Sequence, residues 1–92
     1  MSKSERREAR SIIADYHGAQ LADLVARVGD TIDRYRAGDL DAWDVDRALF
    51  QYSRAAKELW KFCNATHVET TATMIKDQPP DDWWERGAPR ER

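Results

Sequence analysis

Tyr35-Arg36-Ala37-Gly38-Asp39-Leu40-Asp41-Ala42-Trp43-Asp44 is the stretch that decides the fold. Gly38 suits the left-handed position just past a helix C-terminus, where a side chain would clash. Asp41 is a strong N-cap, and Asp44 places a second carboxylate in the first turn, where the helix dipole favours negative charge. One helix therefore ends and another begins within a few residues. So short a connection makes antiparallel neighbours, and the pattern predicts an αα-hairpin.

Upstream of the turn, Ile13, Tyr16, Leu21, Leu24, Val25, Val28, Ile32 and Tyr35 recur at steps dominated by three and four. That spacing puts them on one stripe of an amphipathic helix from Ser4 to Arg36, with Asp23, Arg27, Asp30, Asp33 and Arg34 elsewhere. Gly18 and Gly29 interrupt the pattern, each at a cost of up to about 1 kcal/mol against Ala. Gly18 would mark a break or a close helix crossing. Downstream, Val45, Ala48, Leu49, Tyr52, Ala55, Ala56, Leu59, Phe62 and Cys63 define a second helix from Ala42 to Cys63. Trp43, Phe50 and Trp60 fall off its stripe, as expected of a helix that meets more than one neighbour.

Asn64-Ala65 reads as a break. Thr66 then fits an N-cap with Glu69 reaching back, which starts a third helix from His67 to Lys76. The alternative is that the second helix continues to Lys76. Gln78-Pro79-Pro80 ends the segment, since proline lacks the N–H a helix needs. In the tail, Asp81 or Asp82 would cap a single turn carrying Trp83 and Trp84. Residues 1–78 thus form the hairpin and third helix, and 79–92 a tail belonging to the same domain.

At 1.5 Å per residue the first helix is roughly 45–50 Å long and the second roughly 30 Å, so the second cannot cover the first. The third helix, with the tryptophan turn or a second subunit, must cover the remainder. The expectation is an all-α chain whose hairpin and short third helix complete a four-helix-type bundle by dimerisation. A monomeric three-helix bundle is the alternative. The chain has 92 residues, and a core that small often needs oligomerisation, a disulfide or a metal to be stable. Cys63 is the only cysteine, which rules out an internal disulfide.

Charged residues make up 35% of the chain and hydrophobic ones 41%, with a net charge of −2. A general nucleic-acid binder needs a basic excess that this chain lacks. The N-terminus carries no apolar region of signal-peptide type, and no run reaches the roughly 20 apolar residues of a membrane span. The chain reads as cytoplasmic, with Cys63 reduced.

Tyr16-His17-Gly18, Gln51-Tyr52-Ser53-Arg54, Leu59-Trp60-Lys61-Phe62-Cys63 and the tail from Pro79 to Pro89 resemble a group of short, uncharacterised bacterial helical proteins of unknown function. The resemblance spans roughly residues 15–90 and implies that the tail is part of the domain. It carries no activity, cofactor or catalytic residue.

Several clusters invite a chemical reading. Cys63 and His67 would share a face if the helix continued, and His17 and Glu69 would complete a zinc set. The second cysteine pair of a structural zinc site is missing, and a small core thiol at Cys63 with a surface His67 explains the pair better. A Cys–His nucleophile would need an oxyanion hole and a pocket, for which no motif is present. Asp39, Asp41, Asp44 and Asp46 do not follow the calcium-loop pattern, which wants glycine at the sixth position and glutamate at the twelfth, where Asp44 and Phe50 stand. Helix capping accounts for them better.

Arg54, Lys57 and Lys61 recur at helical spacing and would grip an acidic partner or a phosphate, or simply be solvated beside Glu58. Trp60 among them would make a cation–π contact. Arg6, Arg7 and Arg10 would reach nucleic-acid phosphates, against the intervening Glu5 and Glu8. Trp83 and Trp84 either fold back on the core or anchor another protein, with Pro79-Pro80 as a spacer. The resulting expectation is a non-enzymatic protein-interaction or regulatory module, homodimeric, with no cofactor and no catalytic residue. Trp83, Trp84, Trp60 and Arg54 are its candidate partner contacts. The alternatives are a nucleic-acid-associated, antitoxin-like regulator and a metal-binding helical protein.

Overall fold

The computed structural model describes residues 2–64 and 67–89. Within them lie four helices and no strand: α1 (Lys3–Arg36), α2 (Ala42–Asn64), α3 (Val68–Asp77) and α4 (Trp83–Arg86). Helix α1 starts one residue before the sequence signals suggest, because the Ser2 hydroxyl caps it, accepting the Glu5 N–H at 3.1 Å.

The turn forms as its residues dictate. Gly38 takes φ +85°. Its N–H donates to the Tyr35 carbonyl at 3.0 Å, and the Asp39 N–H donates to the Arg34 carbonyl at 2.9 Å. These two bonds are the Schellman closure of a helix end. Two residues on, Asp41 and Asp44 cap each other. The Asp44 N–H donates to the Asp41 carboxylate at 2.9 Å, and the Asp41 N–H to the Asp44 carboxylate at 3.0 Å. Arg47 pairs with Asp44 as well. The backbone bond from Asp41, above all, holds the Asp44 carboxyl below its ordinary range. Capping is therefore the work of these aspartates.

The second helix ends at Asn64 and a separate helix starts at Val68, with His67 as its N-cap. The reading in which α2 runs on to Lys76 is thereby excluded. The expected Thr66 cap lies outside the described residues. Glu69 lies beside Arg6 of α1, 3.9 Å away. This contact helps lay α3 along the N-terminal half of α1, where Ala9 and Ala72 are both buried.

Asp82 caps α4, accepting the Glu85 N–H at 3.2 Å from a left-handed backbone conformation that aspartate tolerates. The core joins three helices: Leu24 of α1, Ala55, Leu59 and Cys63 of α2, and Trp83 of α4. Ile13, Tyr16, Leu21, Tyr52 and Phe62 pack around it, half-buried.

That core is small for the length of the helices. The molecule measures 55 × 30 × 17 Å with a radius of gyration of 16.0 Å. A compact domain of this length has a radius near 12 Å. Its accessible surface is 6897 Å², against roughly 5500 Å² for a compact monomer of the same mass. The reason is visible in the packing. Helices α3 and α4 both cover the same side of the α1–α2 hairpin. On α1 they meet the flank of Ala9, Ile12, Gln20 and Arg27. On α2 the tail is bonded to Gln51 and Arg54. Nothing among the described residues covers the other side.

Candidate interaction surface

The tail tryptophans face inward. Trp83 is 3% exposed. Its indole N–H donates to the Tyr16 hydroxyl at 2.7 Å, and that hydroxyl donates to the Pro80 carbonyl at 3.2 Å. The relay ties the start of the tail, at Pro80 and Trp83, to the middle of α1. Phe62 stands between the two rings, its centroid 6.0 Å from Tyr16 and 5.5 Å from Trp83. Burial, chiefly, raises the Tyr16 phenol above its ordinary value.

Trp84 is half-buried under Arg27, whose guanidinium carbon lies 5.6 Å from the ring centre. Arg86 covers Trp83 in the same way at 4.8 Å. The cation–π contacts found thus involve the tail tryptophans, whereas the sequence pointed to Trp60. Two side chains of α2 grip the tail backbone: Gln51 donates to the Trp84 carbonyl at 2.9 Å, and the Arg54 Nε–H to the Gly87 carbonyl at 2.6 Å. Gly87 has no room for a side chain. A Cβ there would fall 2.5 Å from the Gln51 carbonyl oxygen and 2.6 Å from the Ala55 nitrogen.

Of the four candidate partner contacts, then, Trp83 is withdrawn into the core and Trp84 is partly covered. Arg54 is engaged with the tail, and Trp60 stands open at 59% exposure. Lys57 is exposed and Lys61 lies 3.4 Å from Glu58. Arg7 and Arg10 are exposed on the first turns of α1, while Arg6 is turned toward Glu69.

The open side of the hairpin holds what the sequence placed in the core. Val25 and Leu49 belong to the apolar stripes of their helices, yet they are 54% and 47% exposed. Helical geometry explains it. At 100° per residue, Val25 and Gly18 lie about 100–120° round α1 from Leu24, opposite the flank that meets the tail. Leu49 and Trp60 lie about 80–100° round α2 from Leu59, again opposite the flank of Gln51 and Arg54. The two flanks face the same way, with half-buried Leu21, Val28, Ile32 and Ala56 along the groove between them. The result is an apolar two-helix face rather than scattered exposed residues. Farther round α2, Trp43 and Phe50 project outward beside Arg47, Arg54 and Lys57. Their departure from the α2 stripe was the sequence signal for this second surface.

The zinc set does not assemble as the sequence allowed. With α2 ending at Asn64, Cys63 and His67 no longer share one helical face. Among the described residues, no group of three or more His, Cys, Asp and Glu side chains is placed to hold a metal ion. Cys63 is buried, and that burial raises its thiol pKa, which disfavours the nucleophilic thiolate. No helix among the described residues is long and apolar enough to cross a membrane. Comparison with known proteins returns no matching family model, curated protein or solved structure.

Proposed function

We propose that this chain is a non-enzymatic protein-interaction or regulatory module that works in the cytoplasm as a homodimer. The observation that carries the reading is the uncovered hairpin face, with Val25, Leu49 and Trp60 each about half exposed or more. Large apolar faces of this kind on small domains are interaction surfaces. Burying this one in a second copy would supply the core that the chain is too short to build alone. Trp43 and Phe50, flanked by Arg47, Arg54 and Lys57, remain outside that face. They are the contacts offered to a further, acidic protein partner, since aromatic and arginine side chains dominate binding energy at interfaces.

The test is sedimentation equilibrium over a concentration series, with Trp60→Glu beside the wild type and circular dichroism to check the fold. The reading requires a wild-type dimer and a Trp60→Glu chain that stays helical while its association weakens at least tenfold. A wild type that is monomeric at every concentration refutes it. Steeply salt-dependent nucleic-acid binding, lost on neutralising Arg6, Arg7 and Arg10, would favour the antitoxin-like alternative instead.

A further inference from the structure

The open face has two unlike edges. The α1 edge is small: Gly18, Ala22 and Gly29 follow one another at helical spacing around Val25. The α2 edge is bulky, with Leu49 and Trp60. Neither helical glycine is required by its own chain. Only Gly38 among the glycines has positive φ, and a Cβ at Gly18 or Gly29 would meet nothing within 4 Å. Yet each weakens α1 relative to alanine.

The antiparallel register relates the two edges. Continuing from the contact of Tyr16 with Phe62, Gly18 lies at the height of Trp60, Val25 at that of Ser53, and Gly29 at that of Leu49. Two copies can meet through this face about either of two axes. An axis perpendicular to the helices sets α1 on α1 and α2 on α2. Glycine then faces glycine, and tryptophan crowds the bulky edge. An axis parallel to the helices sets α1 of one copy beneath α2 of the other at unchanged height. Trp60 then sits over the partner's Gly18 and Leu49 over the partner's Gly29; adjacent helices are antiparallel about either axis, so the fit of large side chains on glycine separates the two.

We infer that the occupant of the open face is a second copy of this chain, docked about a two-fold axis parallel to the hairpin, with Trp60 and Leu49 of each copy seated on Gly18 and Gly29 of the other. This inference rests on the homodimer reading and specifies its geometry. The available area fits. The overlap of two hairpins is about 35 Å long and about 20 Å wide, from the length of α2 and two helix diameters. That is roughly 700 Å² per copy, close to the ~800 Å² a stable interface buries on each partner. The excess surface of the isolated chain is larger than this.

Val25 and Ser53 mark the middle of the face and decide the axis. In a Cys63→Ala background checked for helicity, Val25→Cys and Ser53→Cys chains are oxidised separately and mixed. The inferred axis gives disulfides between unlike chains in the mixture and few in either chain alone. Gly18→Leu, whose Cβ meets nothing within 4 Å in its own chain, stays helical and raises the dimer dissociation constant at least tenfold. Self-linking of Val25→Cys chains overturns this axis and leaves the homodimer reading standing. A dimeric mass with no cross-link in any sample overturns the choice of face. A monomeric mass throughout overturns both.

Discussion

Replacing Gly87 by alanine adds one methyl group where the structure has no space for it. The glycine has an ordinary helical φ of −89°, so its backbone conformation would suit any residue. The constraint is proximity: the added Cβ would lie 2.5 Å from the Gln51 carbonyl oxygen, 2.6 Å from the Ala55 nitrogen and 2.7 Å from the Ala55 Cβ. None of these is the end of a flexible side chain, so α4 must lift away from α2. Lifting strains the Arg54 bond to the Gly87 carbonyl and the Gln51 bond to the Trp84 carbonyl. Overpacking of this kind costs about 1–3 kcal/mol. Its ceiling is full release of the turn, which would expose Trp83. An indole of roughly 150–250 Å² at about 25 cal/mol per Å² makes that about 4–6 kcal/mol before the regained chain entropy is subtracted.

A loss of about 2 kcal/mol lowers the melting temperature of a domain this size by roughly 8–16 °C. Urea unfolding followed by far-ultraviolet circular dichroism and tryptophan emission measures both the loss and the exposure of the indole. A Gly87→Ala protein with wild-type stability and unshifted emission would refute the close docking of α4 on α2.

Two further outcomes follow from the same contacts. Tyr16→Phe keeps the ring against Phe62 but removes the acceptor of the Trp83 N–H and the donor to the Pro80 carbonyl; about 1–3 kcal/mol of stability should go with them, read from the urea midpoint, and no loss would mean the relay is idle. The Asp44 carboxyl is held below its ordinary value of 3.8, so the unfolded chain binds its proton more readily than the folded one. Its contribution to stability is therefore present above that value and lost as pH falls through the folded pKa. A pH series of melting temperatures below pH 5 should fall less steeply for Asp44→Asn than for the wild type, and parallel slopes would count against the cap.

The hairpin could be read from the chain because its signals are local. Gly38, Asp41 and Asp44 each satisfy backbone groups within a few residues of themselves, so their meaning does not depend on what packs nearby. The tail cap is as local, although the chain offered Asp81 as well as Asp82, and the sequence left open whether α2 ends at Asn64 or continues to Lys76. Burial was less legible. Periodicity gave Leu24, Val25, Leu49 and Leu59 equal claims to the core, whereas Leu24 and Leu59 are 2% and 0% exposed and Val25 and Leu49 about half exposed. A stripe only says which side of a helix is apolar. Which part of that side is covered depends on where the third and fourth elements land.

The fate of the tail was likewise beyond the sequence. Two adjacent tryptophans after a proline pair suit an external anchor as well as a core plug. Contacts from residues more than 30 positions away decide between them: Tyr16 at the Trp83 indole, and Gln51 and Arg54 on the tail carbonyls. The sequence by itself determined the helices and the turn between α1 and α2, because capping and periodicity act over one or two turns of chain. Only the tertiary structure decided that Trp83 is core and Trp60 is surface, because that choice turns on which flank of the hairpin α3 and α4 cover.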